Sequence, residues 1–263
     1  MLAPVAAQKL VHAEGELATA QAADATETCM VVSTQASVDM ETLANTDTAE
    51  KWFQLYFQRE REHSLQLVKR AEAAGYSALL VTLDTPIQSL SHRAQRAGFV
   101  MPDDVVAVNL NGQQPTSQVS LTPDQSIVFQ GMMNEAPRWA DMDWLLQQTT
   151  LPVIAKGVLH PDDAVRLINM GVKGIVVSNH GGRALDGVPA TIDALPAIRK
   201  ALGDDFPLLL DGGIRSGLDV FKAIALGANA VMIGRPQLYA LAVAGALGVA
   251  HIHSINETAI YRE

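Results

Sequence analysis

Apolar residues in this chain come in short β-branched or leucine-rich runs. Each run stops at a polar or glycine-rich turn, and most lead into a segment with helical spacing. "CMVVST" precedes "SVDMETLANT", "FQLYFQ" precedes "REREHSLQLVKRAEAAG", and "ALLVTLDTP" opens a long irregular stretch. "LPVIAKG" then precedes "HPDDAVRLINMG", "GIVVSNHGG" precedes "ATIDALPAIRKALG", "PLLLDGG" precedes "SGLDVFKAIALG", and "AVMIGRP" precedes "QLYALAVAGALG". "MLAP" at the N-terminus supplies the end of one further strand. Near-continuous apolar strands with helical crossovers predict a parallel sheet covered by helices, and eight such units are what a closed (β/α)8 barrel requires. The expected fold class is therefore α/β, a (β/α)8 TIM barrel with its first strand truncated at the N-terminus.

No linker rich in Pro, Gly and Ser divides the chain, so residues 1–263 read as one domain. The segment 101–136 is the exception to the periodic pattern. Irregular stretches of that length inside a compact domain are usually lids, binding loops or disordered excursions. This one follows the fourth strand, on the face where barrel sites assemble, which makes it a candidate active-site lid or a disordered insertion. The interleaved charges of "QREREHSLQLVKRAE" read as a solvated helix face, and Trp139 and Trp144 as side chains packing a helix onto the barrel.

Composition narrows the function classes. A chain of 263 residues can build one large core without disulfides or a structural metal. The single cysteine, Cys29 in "ETCMVVS", excludes an intramolecular disulfide and reads as a small buried hydrophobe in a reducing compartment. A formal charge of -9 argues against a broad nucleic-acid surface but leaves room for a local pocket for a small anion. No signal-peptide pattern opens the chain, and the apolar stretch "LYALAVAGALGVA" is shorter than a membrane span. A soluble, cytoplasmic protein is expected.

Residues able to do chemistry gather at the ends of the apolar runs. Lys156 closes "LPVIAKG", where a buried strand admits an amine only if it meets an anion or reaches solvent. His180 and Arg183 follow "GIVVSN", and Asp84 ends "LLVTLD". A histidine oriented by an aspartate, beside an arginine that grips a carboxylate, would make a proton-abstracting site; a salt-bridged barrel mouth is the plainer alternative. Gly212, Gly213 and Gly234 can present backbone N–H groups, and Arg215 and Arg235 positive charge, where barrels bind phosphate. Tight strand-to-helix turns would need the same glycines. The remaining histidines form no metal-ligating pattern, so no metal is expected, and His251 and His253 read as solvent-exposed.

Taken in order, "FQLYFQ", "VTLDTP", "VIAKGV", "VSNHGGRALDGVPATIDALP", "LLLDGGIRSGLDVFKAIALGA" and "VMIGRP" resemble the FMN-dependent α-hydroxy acid oxidases and dehydrogenases. That family includes glycolate oxidase, lactate oxidase, lactate monooxygenase and mandelate dehydrogenase. The resemblance implies an FMN cofactor, a small (S)-2-hydroxy acid as substrate, and oxygen or another electron acceptor. It implies a flavin cradle of Ala3, Pro4, Val5, Ala6, Ser33, Gln54, Thr82, Lys156, Asp211, Gly212, Gly213, Arg215, Gly234 and Arg235. It also implies His180 as the base, Asp84 as its partner, Arg183 on the substrate carboxylate and Tyr56 hydrogen-bonding the substrate. Gln35 is a further residue able to shape the substrate pocket, and Arg93 a substrate contact only if its loop shifts. A homo-oligomer follows from the same likeness, while charge and hydropathy lead to the expectation of no nucleic-acid or membrane partner.

Departures from the family pattern accompany these expectations. The family's N-terminal segment, with its substrate-contacting tyrosine, has no counterpart before "MLAP", and the helical tail is shorter. Ser91 stands where the family commonly has an arginine, seven residues after Asp84. Two alternatives therefore stand beside the enzyme reading: a flavin-binding or assembly subunit impaired in catalysis, and another FMN- or phosphate-binding barrel enzyme.

Overall fold

A computed structural model describes residues 1–46, 49–86, 91–110, 122–131, 133 and 136–260. Its strands are β1 (Met30–Ser33), β2 (Lys51–Leu55), β3 (Ala78–Thr82), β4 (Val153–Val158), β5 (Gly174–Val177), β6 (Leu208–Leu210) and β7 (Ala230–Val231). Helices α1 (Glu16–Ala25), α2 (Met40–Ala44), α3 (Arg61–Ala74), α4 (His92–Arg96), α5 (Trp139–Leu146), α6 (Pro161–Met170), α7 (Thr191–Leu202), α8 (Gly217–Ala225) and α9 (Arg235–Ile260) accompany them, α9 being bent at Ala244 and Gly245.

The strands pair in sequence order and in parallel. Leu2 then bridges β1 at Met30 and the segment after β7 at Ile233, so the sheet closes on itself as an α/β barrel. Backbone bonds secure the seam. Leu2 N–H donates to the Cys29 carbonyl at 2.9 Å, Val31 N–H to Leu2 at 3.0 Å, and Ala3 N–H to Ile233 at 2.9 Å. The "MLAP" strand is thus a single rung that shares its N–H and C=O groups with both neighbours, leaving no open edge at the seam.

Period-2 alternation divides the strand residues into two layers. Val31, Ala78, Leu80, Ile154, Val176, Leu209 and Met232 pack together inside the barrel with Ala3. Their neighbours Met30, Val32, Leu79, Val81, Val153, Ala155, Ile175 and Val177 face outward, against the helices. Helix ends follow local chemistry. His160 caps α6, its Nδ1 accepting from Asp162 N–H at 3.2 Å, with Pro161 in the first turn, and Ser216 with Asp219 forms a capping box on α8.

Several expectations shift in detail. The second run forms a strand at Lys51–Leu55 rather than across "FQLYFQ", because β2 takes its register from β1, with Met30 opposite Lys51. Cys29 is only partly buried, yet desolvation and the nearby Glu50 push its thiol up to about 12. His251 is exposed as expected, but His253 is buried on the α9 segment that follows the bend. Trp139 and Trp144 pack α5 onto the core and carry the Arg166 and Arg61 guanidinium groups at 4.0 and 5.3 Å from their rings. Of the irregular stretch 101–136, residues 111–121, 132 and 134–135 lie outside the described residues. Among the described residues, no helix is long and apolar enough to cross a membrane.

Closure through one residue makes Leu2 a point of leverage, since its side chain is fully buried. Leu2→Ala is expected to lower unfolding stability by about 2–5 kcal/mol through the cavity it leaves. Urea denaturation followed by circular dichroism measures this. A loss well under 1 kcal/mol would show that the seam does not depend on the side chain.

Candidate active site

The same alternation that fills the barrel with apolar side chains turns polar at the carboxyl ends of the strands. Continuing the inward positions upward gives Ser33 on β1, Gln54 and Tyr56 on and after β2, Thr82 and Asp84 on and after β3, and Lys156 on β4. Ser178 and His180 follow β5, Asp211 and Gly213 follow β6, and Gly234 follows Met232. These positions converge on a cavity of about 350 Å³. Its wall includes Ala3, Pro4, Val5, Ala6, Ser33, Gln35, Tyr56, Lys156, His180, Arg183, Asp211, Gly212, Gly213, Arg215, Gly234 and Arg235.

Lys156 sits at the centre of the polar layer with its side chain 5% exposed. Its ammonium donates to Ser178 Oγ at 2.9 Å and lies 3.4 Å from Asp211 Oδ2 and 3.9 Å from Asp84 Oδ2. A charge so far from water needs such partners, because desolvation without them would neutralise or expel it. Ser178 Oγ also accepts the His180 backbone N–H at 3.0 Å, so one hydroxyl links the lysine to the histidine loop.

Asp84 connects the lysine to the histidine. Its Oδ1 lies 2.9 Å from His180 Nδ1. An imidazole held at Nδ1 by a carboxylate keeps its proton there, which leaves Nε2 as the acceptor. His180 itself has φ 57°, an uncommon conformation for a residue with a Cβ, and lies in the loop after β5. Asp84 lies against β4 where the strand's pairing with β5 shifts register between Lys156 and Val158. At that shift, Gly157 has φ 100°, and a Cβ there would lie 2.6 Å from Asp84 Cβ. Gly181 is held to glycine by its backbone instead, at φ 65°, and its carbonyl accepts from Arg235 Nη2.

Three exposed arginines, Arg183, Arg215 and Arg235, surround the opening. Tyr56 lines it from the β2 side; burial, followed by the charge of Asp84, pushes its phenol well above the usual tyrosine range, with Arg183 opposing. The site therefore combines an accepting imidazole nitrogen, a buried ammonium, a neutral phenol and peripheral guanidinium groups. Asp84 Oδ2 and Asp211 Oδ1 are buried and accept no hydrogen bond. Asp211 belongs to the cavity wall, where a bound hydroxyl could supply the absent donor.

The structure gathers most of the residues expected from sequence. Gln54 and Thr82 stand behind the wall: Gln54 Nε2 donates to Thr82 Oγ1 at 3.0 Å, and Ser33 Oγ donates to Gln54 Oε1 at 3.2 Å. Arg93 is not brought in; it lies exposed on α4, outside the cavity wall. Ser91 caps that helix, accepting from Ala94 N–H at 3.2 Å. Sequence reasoning passed over Ser178, although its inward parity two residues before His180 was a usable signal. It also missed buried Asn109, whose Nδ2 donates to the Ser33 carbonyl at 3.3 Å and whose Oδ1 accepts Met40 N–H at 2.9 Å. Nothing in "AVNLNG" distinguishes that clamp from an ordinary loop asparagine. Among the described residues no cluster of His, Cys, Asp and Glu could hold a metal ion.

Known proteins resemble this chain along almost its whole length. An L-lactate oxidase of Alicycliphilus denitrificans is 56% identical over 252 residues, covering 96% of this chain and 69% of that protein. An L-lactate oxidase of a Roseobacter species is 48% identical over 252 residues, covering 96% of this chain and 68% of that protein. The crystal structure of mandelate oxidase with (S)-2-phenylpropionate superposes with a TM-score of 0.86 at 41% identity, covering 99% of this chain and 71% of the other. The family described as FMN-dependent dehydrogenase matches residues 1–262, and the chain belongs to that family.

Proposed function

We propose that the cavity binds FMN and that the chain oxidises a small (S)-2-hydroxy acid to the corresponding 2-oxo acid. The observation that carries this reading is the His180–Asp84 pair at 2.9 Å, set in one cavity with buried Lys156 and exposed Arg183. Two relatives named L-lactate oxidases make lactate the first acid to test.

The residues present fit the cofactor. Gly212, Gly213 and Gly234 offer backbone to a phosphate, and Arg215 and Arg235 bring charge to the same rim. Asp211 Oδ1 has an unused acceptor site for a ribityl hydroxyl. Lys156 places a cation beneath the pocket, where it would favour negative charge on a reduced ring. Ala3, Pro4, Val5 and Ala6 form an uncharged wall for an aromatic system, backed by Ser33, Gln54 and Thr82. When bound, FMN would supply the two-electron acceptor, taking the Cα hydrogen of the substrate as a hydride equivalent.

The chain's own residues would do the rest. Arg183 pairs with the substrate carboxylate through two parallel N–H donors. Tyr56, kept protonated by its surroundings, donates a hydrogen bond to the substrate oxygen. His180 Nε2 takes the hydroxyl proton as the carbonyl forms, and Asp84 holds the imidazole in the accepting tautomer and offsets the imidazolium charge. Lys156 limits the cost of that aspartate by sharing its field with both carboxylates.

His180→Gln is expected to slow flavin reduction by about 10²–10⁴-fold with little change in substrate affinity. Arg183→Leu should chiefly weaken substrate affinity. Anaerobic stopped-flow absorbance over a series of lactate concentrations separates the two effects. Unchanged reduction in His180→Gln would remove the proposed base.

Tyr56 generates a pH prediction. Its raised pKa means that the folded chain holds the proton after an unfolded tyrosine, at about 10, has lost it. The stabilisation is complete below that value and is lost as pH rises through the folded pKa. Unfolding stability should therefore fall between about pH 10 and 11.5, and fall less steeply in Tyr56→Phe; Cys29, raised in the same direction, contributes equally to both proteins. Parallel slopes in the two proteins would contradict the assignment.

A further inference from the structure

Two loops on the same side of the cavity carry part of its wall. The segment after Leu2 contributes Ala3, Pro4, Val5 and Ala6, and the segment after β1 contributes Gln35. Both are short irregular backbone, whose own conformational freedom would leave their spacing loose. Between them lies a fully buried carboxylate.

Glu16 opens α1 and is 0% exposed. Its Oε1 accepts the backbone N–H of Gln8 at 3.1 Å and of Ser37 at 2.9 Å. Its Oε2 accepts the Ser37 hydroxyl at 2.6 Å, and that hydroxyl oxygen accepts Lys9 N–H at 3.1 Å. The tie continues on both sides. Ala7 N–H donates to the Gln35 carbonyl at 3.1 Å, Gln8 Nε2 to the Val5 carbonyl at 3.4 Å, and Thr19 Oγ1 to Gln8 Oε1 at 2.5 Å. One side chain thereby joins the 5–9 segment, the 35–37 segment and the start of α1.

A buried carboxylate is an expensive way to hold two loops together, and a merely apolar contact would stabilise the fold at lower cost. What the carboxylate adds is direction. Its hydrogen bonds fix distances and angles between two backbones, and the α1 N-terminus favours its charge. We propose that Glu16 is a positioning residue that sets the separation of the Ala3–Ala6 wall from the Gln35 loop and so shapes the cavity for its flat ligand. This rests on the FMN reading for the identity of that ligand, but the clamp itself does not.

The test uses the full chain with FMN as the probe, its affinity read from flavin fluorescence quenching. Glu16→Ala is expected to weaken FMN binding about tenfold or more, because two backbone N–H groups lose their acceptor and the loops part. Glu16→Gln should remain within about threefold, since the amide oxygen can accept both N–H groups and the amide nitrogen can donate to Ser37. Leu145→Ala, a buried position on α5, serves as the control for general destabilisation and should leave FMN affinity unchanged. The proposal is overturned if Glu16→Ala binds FMN as the unaltered chain does, if Leu145→Ala weakens it equally, or if Glu16→Gln fails to restore it. Should Glu16→Ala not fold, Ser37→Ala carries the same test, with about threefold weakening expected against none for the control.

Failure of the cofactor reading looks different: the unaltered chain would not bind FMN. Amide hydrogen exchange without flavin then decides the clamp. The Gln8, Lys9 and Ser37 N–H groups should exchange slowly in the unaltered chain and in Glu16→Gln; Gln8 and Ser37 N–H should exchange faster in Glu16→Ala or, failing that variant, Lys9 N–H faster in Ser37→Ala. Equal protection in all of them would overturn it.

Discussion

A cation buried at the top of a parallel barrel is the constraint from which the site follows. Lys156 stands on an inward position of β4 with almost no access to water, so its charge must be met by groups reaching inward from other strands. Those groups are Asp84 from the β3 side, Asp211 from the β6 side and the Ser178 hydroxyl from the β5 side. Asp84 can serve only because Gly157 gives it space, and once there it faces His180. The orientation of the imidazole is thus a consequence of compensating the lysine. Removing one partner of such a group leaves a buried charge uncompensated, typically a loss of about 3–5 kcal/mol, which ties the stability of this layer to its chemistry.

Much of this was legible in the sequence because strands write their two faces in alternation. The inward positions read apolar at Val31, Leu80, Ile154, Val176 and Leu209, then polar at Ser33, Thr82, Lys156, Ser178 and Asp211. A change from apolar to polar at constant parity marks the end of the packed interior and the start of a site. The barrel was legible for a related reason: near-continuous apolar runs alternating with helical crossovers along the chain call for a parallel sheet covered by helices. The one-residue rung at Leu2 was foreseen as a strand end, whereas its bridging of both neighbours was not, since pairing is a property of the closed sheet.

What escaped the sequence are the groups that act across long separations without a periodic signature. Glu16 looks like an ordinary acidic residue in the first turn of a helix, and Asn109 like a loop residue; each is buried and ties together backbone far away in the chain. Gly157 sits inside a strand pattern, where its positive φ and the approach of Asp84 appear only in three dimensions. Arg93 shows the converse. Its charge and position near the Asp84 motif suggested a substrate contact, but Ser91 caps α4 and the arginine remains on the exposed face of that short helix. Identity of side chain told less here than where the backbone turned.

The central claim joins three features in one pocket: a cradle for FMN, a base held by a carboxylate, and a cation for the substrate. The measurement that tests it most directly is the visible absorption spectrum of the purified chain supplied with FMN, recorded before and after anaerobic addition of (S)-lactate and then of larger (S)-2-hydroxy acids. The account predicts a bound, oxidised flavin spectrum that bleaches on addition of at least one of these acids. A chain that binds no FMN, or a bound flavin that stays oxidised with every acid, would contradict it.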